Sequence, residues 1–124
     1  MSSFKWDGWP IPQKTCLGTL ELKHVFVFVD IPLFFICRNE NKRFIATCIE
    51  ESKTWFEFLY VELYETKYNM LIAGQVDFHD SFIFTEAKTY IVRAKHINNY
   101  DIIEITNKEI REDWLPISGD YYAI

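Results

Sequence analysis

Residues 55–62, Trp55-Phe56-Glu57-Phe58-Leu59-Tyr60-Val61-Glu62, alternate: Phe56, Phe58 and Tyr60 fall on one side, Glu57, Leu59 and Val61 on the other. A period of two sends successive side chains to opposite faces of a pleated strand, a surface that suits bulky rings. Upstream, Leu33–Arg38 and Arg43–Glu50 read as a hairpin closed by the polar turn Asn39-Glu40-Asn41-Lys42, and Glu51-Ser52-Lys53-Thr54 turns the chain into Trp55. Further back, Gly18–Val29 also alternates. Leu20, Leu22, His24, Phe26 and Phe28 share one side, and Glu21, Lys23, Val25, Val27 and Val29 the other. Polar residues occur only near its start, so this strand is expected to enter from solvent and end buried on both faces. Asp30-Ile31-Pro32 breaks it. Sequential strands joined by short turns point to an antiparallel meander.

Downstream of Glu62 the period changes. Tyr64, Tyr68, Leu71 and Ile72 recur at helical spacing, and Gly74 ends the helix. Asp77 is placed to cap a second short helix that carries Phe78 and Phe82 on one side. Thr89–Lys95 and Asp101–Ile105 read as strands, residues 108–113 as a helical turn and residues 121–124 as a short terminal strand. The expected fold is α+β: a twisted antiparallel β-meander with a pair of short helices packed on it. Residues 1–16, with Trp6, Trp9, Pro10 and Pro12, form an irregular arm, and residues 17–124 a single domain. The Tyr121-Tyr122-Ala123-Ile124 end suits a domain cut from a longer chain.

With 49% hydrophobic and 25% charged residues, the chain is globular. Its formal charge is −5, and the thirteen Lys and Arg are scattered. Duplex binding draws most of its affinity from phosphate contacts and shows as a basic stripe, so direct nucleic-acid binding is not expected. No apolar run reaches the length of a membrane span, and residues 1–8 carry no signal-type apolar core, so the expected setting is the cytoplasm. Cys16, Cys37 and Cys48 show no metal-ligand spacing. Cys37 and Cys48 lie on adjacent strands and are read as buried free thiols.

Several scaffold pieces carry a resemblance: Asp30-Ile31-Pro32-Leu33-Phe34-Phe35 leading into the hairpin, Trp55 to Val61 before a helix, Gly74-Gln75-Val76-Asp77-Phe78 turning into a short helix, and Trp114-Leu115-Pro116 with Gly119 and Tyr121. In these the chain resembles an uncharacterised bacterial family of small α+β domains, often near defence or mobile-element genes. The resemblance spans roughly residues 18–122 and implies an architecture and a microbial setting. It brings no catalytic residues.

Of the polar residues, Asp77, His79 and Asp80 form the sharpest cluster. A histidine between carboxylates suits a general base or a metal ligand, but the plainer reading is an N-cap, a helix-dipole acid and a solvated His79. Glu21-Leu22-Lys23 and Glu86-Ala87-Lys88 are E-x-K pairs of the kind that serve metal-dependent nucleases. The same triplet arises by chance in a chain rich in both residues. No Gly-rich phosphate loop and no nucleophile elbow is present.

An aromatic content of 18% is more apolar wall than a single small core needs, and tryptophan and tyrosine dominate interface hot spots. The expected function is therefore a non-enzymatic protein–protein interaction module, an accessory or inhibitory subunit in a bacterial or phage conflict system, with no cofactor. Trp6, Trp9, Trp55 and Trp114 are its expected anchors, and Glu57, Glu62, Glu65, Asp77, His79 and Asp80 its rim. The partner is another protein, basic or nucleic-acid-processing. The alternatives are a small metal-dependent nuclease built on an E-x-K pair and a self-assembling structural domain.

Overall fold

A computed structural model describes residues 9–95 and 99–122. β1 (Glu21–Val29), β2 (Ile31–Arg38), β3 (Arg43–Glu51), β4 (Trp55–Glu62), β5 (Thr89–Lys95) and β6 (Asn99–Ile105) form one open antiparallel sheet in that spatial order. Two short helices, α1 (Glu65–Ile72) and α2 (Phe78–Ser81), lie between β4 and β5, and 3-10 turns at Asn107–Glu109 and Glu112–Trp114 follow β6. The fold is α+β. Among the described residues no helix is long and apolar enough to cross a membrane.

The turns follow from their side chains. Asn39 Oδ1 accepts the backbone N–H groups of Asn41 and Lys42 at 2.8 and 2.7 Å, which closes the β2–β3 loop. Asp30 alone joins β1 to β2, in the left-handed region at φ 64°, a conformation that aspartate tolerates better than most residues. The second strand therefore starts at Ile31 rather than Leu33, and Pro32 sits inside it opposite Phe28. A register shift between Val27 and Phe28 accommodates a residue with no N–H to donate.

The sheet is covered on both faces, which accounts for the aromatic content. On one face Phe35, Phe44, Phe58, Tyr60 and Val92 pack beneath Ile11, Leu17 and Leu20 of the N-terminal segment. On the other, Phe34, Ile36, Ile45, Leu59 and Val61 pack beneath Leu71 of α1 and Phe82 at the end of α2. Aromatic rings fill the second core as well as the first: Phe26, Phe34 and Phe78 meet with centroids 4.8–5.0 Å apart.

β1 departs from the simple alternation. Register shifts between Leu22 and His24 and between Val25 and Val27 move Leu22 to the first core and Phe26 to the second. His24 follows Phe26, within 3.0 Å of the Tyr68 hydroxyl. The end of β1 is not buried on both faces: Val25, Val27, Phe28 and Val29 are 43%, 44%, 45% and 61% exposed. An outermost strand has only one neighbour to cover it.

α1 ends in a Schellman motif, with the Gln75 N–H bonded to the Met70 carbonyl at 2.8 Å and Gly74 at φ 73°. Beyond the 3-10 turns, Tyr121 and Tyr122 are not in a strand, contrary to expectation. The C-terminal segment docks on α2 instead, with the Phe78 N–H donating to the Asp120 carbonyl at 2.8 Å and the Tyr122 ring against Phe26.

Candidate functional site

The residues around α2 lie close together. Ligand atoms of Asp77, His79 and Asp80 fall within 4.8 Å of one another, the spacing of a metal site. Each of the three is already engaged. Asp77 Oδ1 accepts the Asp80 N–H and Oδ2 the Gly119 N–H, both at 2.8 Å. These two backbone donors hold the Asp77 carboxyl below its ordinary range. His79 is not solvated as expected: its side chain is 13% exposed, with Nδ1 2.8 Å from Asp80 and Nε2 2.5 Å from Glu112. Only the protonated ring donates from both nitrogens, and the two carboxylates, Asp80 first, push its pKa up against the effect of burial. The cluster is a clasp that fastens the Glu112–Trp114 turn and the C-terminal segment to α2.

The remaining expected site residues scatter. Trp9 packs edge-on against Phe56 at 5.6 Å and donates its indole N–H to the Lys95 carbonyl at 2.7 Å, so it serves the first core. The Arg93 guanidinium lies 4.1 Å above the Trp55 ring and pairs with Glu57 at 3.0 Å. Glu62 is no rim acid. It is 8% exposed beside the Lys42 ammonium, which stands 3.0 Å from Oε2 as an ion pair but is not aligned as a hydrogen bond. That carboxylate raises the pKa of Lys42. Asp77 is likewise inside, Glu65 is exposed at the start of α1, and Trp114 joins the second core. Trp6 lies outside the described residues.

The E-x-K pairs assemble no site among the described residues. Lys23 is bonded to Glu21 itself, Lys88 pairs with Glu104 at 3.2 Å rather than with Glu86, and neither Glu21 nor Glu86 joins a cluster of potential ligands. Cys37 pairs across the ladder with Phe44, not Cys48, and its burial pushes the thiol far up. Cys48 is half-buried, with its pKa raised to about 11.

One surface was not expected from the sequence. The exposed end of β1 adjoins a groove of about 490 Å³ that crosses β2 and β3. Val27, Leu33, Phe34 and Ile49 line it, Trp114, Leu115 and Pro116 form one wall, and Glu50 and Glu51 lie at the end of β3. β1 has no strand partner on its outer side among the described residues. A long edge strand with exposed apolar side chains is a template for pairing, which folded proteins usually blunt with charge or proline. The sequence signal was present in the all-apolar run Val25–Val29, but it was assigned to the interior.

A family model described as a family of unknown function, DUF6575, matches residues 10–121, and the chain belongs to that family. No curated protein and no solved structure matches the chain.

Proposed function

We propose that this member of the family is a non-enzymatic protein–protein interaction module that holds its partner at the end of β1 and in the adjoining groove. The observation that carries this reading is the exposure of three apolar side chains of β1, Val25, Val27 and Val29, on a strand that has no outer strand partner among the described residues. Completing their burial is worth ~1 kcal/mol each, or about 3 kcal/mol together. Association costs about 4–15 kcal/mol, so the edge alone holds no partner and the groove must contribute contacts. Of the tryptophans expected as anchors, Trp9 packs against Phe56 of the first core, and Trp114 alone among the described ones lines this groove. The setting we propose is an accessory or inhibitory role in a bacterial or phage conflict system. That part rests on the family resemblance read from the sequence.

The test is recovery of a partner from the native host with tagged wild-type protein and with Val27→Lys. Val27 is exposed, so the substitution leaves both cores intact. A stoichiometric partner retained by wild type and lost by the variant is the expected outcome. No stoichiometric partner, or equal retention by both proteins, contradicts the reading.

A further inference from the structure

The proposed surface has a sign as well as a shape. Two acids, Glu50 and Glu51, line the groove, and among the described residues no lysine, arginine or histidine does. Both acids are exposed, and neither has an ion-pair partner among the described residues. Arg111 lies over Trp114 of the opposite wall but is already bound through two nitrogens to Asp113, at 3.1 and 2.8 Å.

Glu50 also breaks a rule of sheet pairing. It stands directly opposite Glu57 in the β3–β4 ladder, an arrangement in which like charges destabilise. Arg93 neutralises Glu57 from β5, on the side away from Glu50. The fold gains nothing from a second carboxylate here. Residues that break a local rule without a structural return mark functional positions.

Resting on the interaction-module reading, we propose that the occupant of this groove is an extended segment of another protein in which lysine or arginine alternates with aliphatic residues, the basic side chains meeting Glu50 and Glu51. A nucleic acid does not fit, because its phosphates meet carboxylates. A second copy fits poorly, since each copy carries a net charge of −5 and brings its own acidic rim.

The probes are two fluorescein-labelled octapeptides, one alternating valine with lysine and one alternating valine with glutamate, followed by fluorescence anisotropy. The lysine peptide is expected to bind and the glutamate peptide not to bind. Affinity for the lysine peptide falls about tenfold in the double variant Glu50→Gln, Glu51→Gln, and falls similarly as salt rises. The variant's melting temperature stays level or rises, which separates a recognition role from a structural one. Equal binding of both peptides, no binding of either, or undiminished binding by the double variant overturns the basic-segment proposal. If Val27→Lys still loses the host partner in that case, the module reading survives. If it does not, both fall. A dimer in solution that Val27→Lys dissociates identifies a second copy as the occupant and also overturns the proposal.

Discussion

Replacing Asp77 with alanine removes one carboxylate that holds two parts of the chain. Its Oδ1 caps α2 through the Asp80 N–H, and its Oδ2 accepts the Gly119 N–H from the C-terminal segment. Losing an N-cap costs about 1 kcal/mol, and losing a hydrogen bond to a charged group about 1.5–3 kcal/mol. The expected total is about 3 kcal/mol, a large part of the roughly 5–15 kcal/mol that stabilises a domain. Urea denaturation followed by tryptophan fluorescence at pH 7 measures it. Asp77→Asn keeps one carbonyl acceptor and loses less than half as much. The pH dependence has a definite sign. Because the folded carboxyl titrates below its ordinary value of 3.8, its contribution is complete above that value and is lost as pH falls through the folded pKa. The gap between wild type and Asp77→Ala therefore narrows below about pH 4. An alanine variant within 0.5 kcal/mol of wild type at pH 7 refutes the structural assignment. So does a divalent cation that stabilises wild type but not the variant, because Asp77 is then a ligand.

Two further outcomes follow from buried and clasped groups. His79→Gln loses two ion pairs to the exposed carboxylates of Asp80 and Glu112, each worth ~0.5 kcal/mol. Since the folded pKa of His79 is raised, that stability is fully present below about pH 6.5 and fades as pH rises through the folded value, so the deficit measured at pH 5.5 shrinks at pH 9. A deficit that does not change with pH contradicts the clasp. Tyr60 is fully buried, and its hydroxyl has no hydrogen-bond partner among the described residues. Tyr60→Phe is therefore expected to raise stability by about 1 kcal/mol in the same denaturation assay, whereas a loss of similar size shows that the hydroxyl is bonded.

The strands were legible because alternation is a local property. Phe56, Phe58 and Tyr60 do face one core, and Leu59 and Val61 the other. The Asp77 cap and the Gly74 stop were readable for the same reason, as each depends on residues within one turn. What stayed hidden depends on distant contacts. The bulges in β1 leave no residue signature, so Leu22 and His24 appeared to share a face that the register divides. Glu62 resembles any acid at the end of a strand until Lys42 is placed beside it. Glu112 reaches His79 across 33 residues, and no pattern along the chain announces that contact. The aromatic content was read as one core and a surplus because composition does not say that a sheet is covered twice. The tryptophans drew attention for the same reason, while the exposed valines at the end of β1 were assigned to the interior.

The central claim is one of place, and amide hydrogen exchange of the protein, alone and with its bound partner, tests it directly. The account predicts protection concentrated in Val25–Val29 and across Trp114–Pro116. The far edge of the sheet, where Ile103 of β6 is also exposed, should exchange as before. Protection on β6, or on the Ile11–Leu20 segment over the first core, with β1 unchanged, contradicts it.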